Sequence, residues 1–164
     1  MAGIKPKSWH GSKSAVENAR LNLPKLTRQY FRLGRKAFRR EPNELHRFRL
    51  DTKRYRYTLE LFIPIYGPGL KSRLESLKKI QNYLGDLSDC GSAVNLLRAD
   101  ANDADAGTRK EVKKIIRSLK KRARKKADEF HEHWRTVFDA PGEEKRWIEY
   151  LARFAGRKAQ GRGR

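Results

Sequence analysis

The chain has 164 residues, and its 40 Lys and Arg against 19 Asp and Glu leave a formal charge of +21 at pH 7. Charged residues make up 36% and hydrophobic ones 37%, against about 25% and 45–50% in an ordinary soluble domain, so the length suits one domain with a sparing core and a strongly cationic surface. A field of that size attracts anions and repels itself in the compact state, which excludes a structural role as its whole purpose and points to a polyanionic partner. A single cysteine, Cys90, excludes an internal disulfide framework. No apolar leader follows Met1, and no run approaches the ~18 apolar residues of a membrane span, so the expectation is a cytoplasmic protein with no membrane span.

Residues 1–14 and the Gly/Arg-rich stretch 156–164 have no apolar period and are expected to be disordered basic tails. Residues 15–155 between them are helical in pattern throughout. The first helix, Val16 to Arg39, carries the stripe Leu23, Leu26, Tyr30, Leu33 and Ala37, and Pro24 leaves open whether it begins before that proline. Pro42 ends it and sets the first turn of a second, Asn43 to Ile65, with Leu45, Phe48, Thr52, Tyr55, Leu59 and Phe62 on one face. Tyr66-Gly67-Pro68-Gly69 is a turn. A third helix with Leu70, Leu74, Leu77, Ile80 and Leu84 is expected to end at Gly85, and a short fourth, capped by Asp86, carries Leu87, Cys90, Val94 and Leu97. Ala99 to Gly107 is an acidic loop, after which Thr108 and Glu111 form a capping box opening a long helix to Phe138. Its stripe is Val112, Ile116, Leu119, Ala123, Phe130, Trp134 and Val137. Pro141-Gly142 precedes a last amphipathic helix with Trp147, Tyr150, Leu151 and Phe154. Short connections between long helices predict an all-α fold, an antiparallel helical bundle of five or six helices in one domain.

Helical phase sorts the positive charge. At about 100° per residue, His46, Arg49, Lys53 and Arg56 fall together in the sector next to the apolar face of the second helix. Ten residues put His46 and Arg56 roughly 15 Å apart, with a donor at each turn between them. That spacing suits an extended anion with a charge on every repeating unit. Arg offers a forked contact to phosphate, Lys a mobile point charge, and His a donor whose charge grows as the pH falls. Glu60 extends the line and can orient one of the cations. Arg28, Arg32, Arg35 and Arg39 form a second row on the first helix, and the two rows are expected to line one cationic trough. Basic residues from Arg109 to Lys126 surround the fifth helix on several faces and suggest a steering surface rather than a shaped site.

The segments Leu45–Phe62 and Leu70–Asp89 closely resemble the conserved histidine α-helical domain, CHAD. The matching positions are His46, Arg49, Lys53, Arg56-Tyr57 and Glu60, then Gln81, Leu84, Gly85, Leu87 and Asp89. With the flanking helices as far as the Trp134 region, the resemblance covers about three quarters of the chain. It implies a noncatalytic helical protein that binds inorganic polyphosphate through basic residues of a groove and gathers at polyphosphate granules, and it marks His46, Arg49, Lys53 and Arg56 as phosphate contacts. The first-helix arginines come from geometry and not from the motif. The family pattern usually has two related halves, and only the second is recognisable here. Either one bundle binds alone with a shallower site, or two chains associate as a homodimer.

Other chemistry is less well served. His46 as a catalytic base lacks a nucleophile or an orienting carboxylate among its cationic neighbours. His131 and His133 point to different faces of a helix and make poor co-ligands, so no metal and no cofactor are expected. Cys90 lies in an apolar stripe, as an inert buried thiol would. Trp134, Trp147, Tyr150 and Phe154 fall at core spacing; Gln81 and Asp89 are assigned capping and hydrogen-bonding roles. An RNA- or DNA-binding protein is the runner-up, with nucleic acid otherwise a weaker competitor for the site. It has the charge but no helix-turn-helix, RNA-recognition or zinc pattern, and exposed aromatics beside the basic row would favour it. An enzyme acting on phosphate esters or anhydrides would need a carboxylate cluster for a metal, and none is visible.

Overall fold

The computed structural model describes residues 10–37, 42–102 and 104–157, with side chains described except at 42–44 and 153–157. Among the described residues there are six α-helices: α1 (Ala15–Ala37), α2 (Pro42–Glu60), the single-turn α3 (Ile63–Tyr66), α4 (Pro68–Asp100), α5 (Ala106–His133) and α6 (Glu143–Arg157). No strand occurs among the described residues. In space α2 lies between α1 and α4, α6 covers the other side of α1, and α5 returns along α4. The fold is an all-α bundle, as the periodicity predicts.

Several boundaries differ from expectation, each for a local reason. Ser14 and Glu17 form a capping box: Ser14 N donates to Glu17 Oε2 at 2.8 Å and Glu17 N to Ser14 Oγ at 3.2 Å. The helix they open runs through Pro24, which is buried within it. Asn18 Nδ2 donates to the carbonyls of His10 and Lys13, both at 3.0 Å, tying part of the expected tail to α1. Helix α2 stops at Glu60, five residues early. The third and fourth predicted helices are one, α4, and Gly85 lies inside it as neither cap nor break. Leu77, Ile80, Leu84, Leu87, Cys90 and Val94 keep a three-and-four rhythm across that glycine, and the apolar phase outweighs its poor helix propensity. Asp105, not Thr108, caps α5, accepting from the backbone N–H of Gly107 at 2.8 Å and Thr108 at 3.0 Å. The long helix ends at His133 in a π-helical turn, Trp134–Phe138, where Asp139 N donates to Trp134 O at 2.7 Å. The wider turn brings Phe138 inward with Trp134 and leaves the predicted core residue Val137 57% exposed.

Aromatic rings hold α1, α2 and this turn together. Tyr30 stacks on Tyr55 at 4.5 Å and on Phe48 at 5.2 Å between ring centroids, while Trp134 meets Phe48 edge-on at 5.3 Å. Two buried hydroxyl pairs set the register. Thr27 Oγ1 donates to Leu23 O, so Tyr55 donates to Thr27 at 2.7 Å; Thr52 Oγ1 donates to Phe48 O, so Tyr30 donates to Thr52 at 3.1 Å. Burial holds both phenols well above the usual tyrosine range, which keeps them protonated donors. Trp134, Trp147, Tyr150 and Cys90 are buried, in keeping with packing roles, and Phe154 lies outside the described side chains. The C-terminal half of α4 and the N-terminal half of α5 form a thinner antiparallel arm: of the residues of α5, only Phe130 is fully buried. No described helix is long and apolar enough to cross a membrane.

Candidate functional site

Phe48, Thr52, Tyr55 and Leu59 bury one face of α2 against the core, and this fixes the rotation of the helix. His46, Arg49, Lys53 and Arg56 consequently lie along its neighbouring edge. Contacts at both ends of the row reach α4: His46 Nδ1 is 3.4 Å from Ser88 Oγ, and Arg56 Nε donates to Gln81 Oε1 at 3.0 Å. The chain ascends α2 from 46 to 56 and descends α4 from 88 to 81 between these contacts, so the helices are antiparallel and the row borders the α2–α4 groove. Ser88 and Gln81 are neutral hydrogen-bonding groups on the wall facing it.

The four cations are held differently. Arg56 also pairs with Glu60 and lies 4.7 Å from the Tyr57 ring centroid, and its side chain is only 18% exposed. Glu60 thus orients it, as the sequence suggests, and offsets part of its charge. Lys53 is exposed, with Nζ 5.7 Å from the same ring centroid. Arg49 is half-buried, and its Nε is shielded without a hydrogen-bond partner. Neither Arg49 nor Lys53 has a carboxylate partner among the described residues. A shielded, unpartnered N–H costs about 1–3 kcal/mol; a phosphate oxygen is the acceptor that a guanidinium fork fits.

The second row does not join the first. Arg35 is committed elsewhere: Nε donates to Asp139 Oδ2 at 2.7 Å, and Nη2 reaches Asp139 Oδ1 at 2.5 Å and Glu144 Oε2 at 2.7 Å. These hydrogen bonds raise its pKa further. It clamps α1 to the turn before α6, and its guanidinium is engaged within the fold. Arg28 and Arg32 share its side of α1 by helical phase and are exposed there, on the flank toward α6 and away from the α2–α4 groove. Arg39 lies outside the described residues. The trough expected between α1 and α2 is replaced by a groove between α2 and α4, because the aromatic and Thr–Tyr contacts close the α1–α2 seam.

On α5 the basic residues from Arg109 to Lys125 are all exposed. Glu111 pairs with Lys114 at 2.8 Å and Glu129 with Lys126 at 2.8 Å, leaving most of the coat without a carboxylate partner among the described residues. His131 and His133 lie at the base of the helix; burial lowers the pKa of both, and Lys79 lowers that of His133 further. Among the described residues no group of three His, Cys, Asp or Glu is arranged to hold a metal ion.

The family model of the CHAD domain matches residues 5–98 of the chain. This protein belongs to the CHAD family. The match spans α1 to α4, and so both walls of the groove. It stops at Arg98, short of the Trp134 region that the sequence resemblance includes, so α5 and α6 lie outside it. No curated protein and no solved structure matches. Ser88 beside His46 and Tyr57 beside two cations are placements the sequence reading did not assign, while Gln81, expected to cap or hydrogen-bond, accepts from Arg56. The available signal was the seven-residue interval from Gln81 to Ser88, which puts both on one side of α4 once that helix is continuous.

Proposed function

We propose that this CHAD domain is a noncatalytic polyphosphate holder, binding a linear phosphate chain along the α2–α4 groove. The observation that supports it most is the unneutralised pair Arg49 and Lys53, set between Gln81 and Ser88 in a row whose roughly 15 Å length calls for a repeating anion. Family membership supports the choice of polyphosphate among polyanions, since charge alone does not make it. The α5 coat raises the encounter rate, and granules rich in polyphosphate are the place where such a domain would gather. Competition at fixed salt tests the reading: long-chain polyphosphate is expected to displace bound RNA at comparable phosphate concentration, and failure to do so refutes it. Release of orthophosphate from polyphosphate with added magnesium would refute the noncatalytic part.

One observation favours a second reading, single-stranded nucleic acid binding. Tyr57 is 46% exposed and lies beside both Lys53 and Arg56, where a base could stack. Removing its ring, Tyr57→Ala, separates the two: under the polyphosphate reading RNA binding falls more than polyphosphate binding, and a tight, ring-dependent RNA complex that polyphosphate cannot displace selects the alternative.

A further inference from the structure

Four glycines sit inside α1 and α4, and two of them have evident packing reasons. A Cβ on Gly34 would lie 2.2 Å from the Trp134 ring, and one on Gly69 would lie 2.8 Å from the Tyr150 hydroxyl, so close approach of an aromatic ring excludes a side chain at both. Gly91 has no such reason, but it is exposed and lies beyond Ser88, outside the stretch from Gln81 to Ser88; Gly85 has none either. It lies within the continuous α4 without a positive φ, and a Cβ built on it meets nothing within 4 Å. Glycine is the poorest helix former after proline, so an uncrowded mid-helix position gains nothing from it within the fold. Its place in the groove supplies the missing reason. Gly85 follows Gln81 by one turn and precedes Ser88 by one turn, so it stands on α4 between the two residues that touch Arg56 and His46. Position 85 therefore lies across from the Arg49–Lys53 stretch of α2, where the row has cations without carboxylate partners. A side chain on a helix leans toward the N-terminal turn, and one at position 85 would lean along the wall toward Gln81.

We infer that Gly85 is a clearance residue: its missing side chain keeps the α2–α4 groove wide enough for a phosphate chain to lie against Arg49 and Lys53. The inference rests on the polyphosphate reading and deepens it, assigning a ligand-fitting role to a residue that makes no contact of its own. It also gives a basis for selectivity, since a bare phosphate chain fits a narrow groove that a sugar-bearing strand does not.

Two substitutions separate clearance from helix propensity. Gly85→Ala adds one methyl group in open space; it is expected to raise the thermal midpoint and leave the affinity for long-chain polyphosphate within about threefold, because alanine is the better helix former. Gly85→Phe extends a ring along the wall and is expected to weaken polyphosphate binding at least about tenfold with no fall in thermal midpoint, since its Cβ meets no protein atom. Calorimetric titration with polyphosphate, beside the double variant Arg49→Gln/Lys53→Gln, tells the two ideas apart. If the double variant loses affinity while Gly85→Phe binds as the unsubstituted protein does, the clearance role is overturned and the groove reading stands. If neither substitution changes affinity, the groove itself is wrong. A Gly85→Phe protein that melts early places its side chain against the fold and overturns the inference directly.

Discussion

Removing the charge at Arg49 and Lys53 together is expected to weaken polyphosphate binding far more than removing it at Lys120 and Lys121, although each double variant deletes two cations. A net hydrogen bond to a charged group contributes about 1.5–3 kcal/mol, and half-buried Arg49, with a shielded Nε that lacks a partner, belongs in the upper part of that range. Lys53 is exposed and contributes about 1 kcal/mol, the scale of a unit-charge pair in water at 4 Å. The sum of about 3.5 kcal/mol corresponds to roughly a 300-fold loss of affinity. Lys120 and Lys121 are exposed on the arm, act through solvent, and are screened over about 8 Å at physiological ionic strength, so their loss changes affinity by about two- to fourfold. Binding isotherms with long-chain polyphosphate over a series of salt concentrations supply a second readout. The groove variant is expected to flatten the salt slope by about 1.4, two charges at about 0.7 each for a flexible single chain, and the arm variant to leave it nearly unchanged. Equal losses of affinity from the two variants would mean that diffuse charge binds the ligand, and would refute the assignment of a shaped groove.

Arg35→Gln is expected to lower stability by about 1 kcal/mol, since its ion pairs with Asp139 and Glu144 are half exposed, and to leave polyphosphate affinity unchanged; a marked loss of affinity would return Arg35 to the binding set. Gly34→Ala forces the Trp134 ring to move and is expected to cost about 2 kcal/mol, lowering the thermal midpoint by about 4–8 °C, and an unchanged midpoint would contradict the close packing. Stability should fall with acidification through His131 and His133. Burial depresses their folded pKa values, so below about pH 6.5 the unfolded chain takes up protons that the folded one does not. Melting curves at about pH 7.5 and pH 5.5 check this, and a His131→Asn/His133→Asn variant with an equally steep decline would refute it. His46→Gln is expected to weaken polyphosphate binding through loss of the imidazole donor, and an unchanged affinity would exclude His46 from the site.

The part of the site that depends on one helix was legible in the sequence. Phe48, Thr52, Tyr55 and Leu59 must face inward, and that alone puts His46, Arg49, Lys53 and Arg56 on the neighbouring edge of α2. What depended on partners was not. Arg35 looks like its neighbours Arg28 and Arg32 until Asp139 and Glu144, more than a hundred residues away, take up its guanidinium. The other wall of the groove was hidden by a reasonable rule about glycine: treating Gly85 as a helix end split α4 in two and broke the phase relation between Gln81 and Ser88. Val137 and Phe138 exchanged places because a π-helical turn adds a residue where α-helical spacing was assumed. In each case local propensity gave way to a tertiary contact or to the uninterrupted phase of an apolar face.

A structure of the protein with a short polyphosphate bound bears most directly on the central claim. The account predicts phosphates along the α2–α4 groove, within hydrogen-bonding distance of the Arg49 guanidinium and of Lys53 Nζ, with the chain passing Gly85 between Gln81 and Ser88. Phosphates ordered along the α5 arm, or on the face of α1 that carries Arg28 and Arg32, with the α2–α4 groove unliganded, would contradict it.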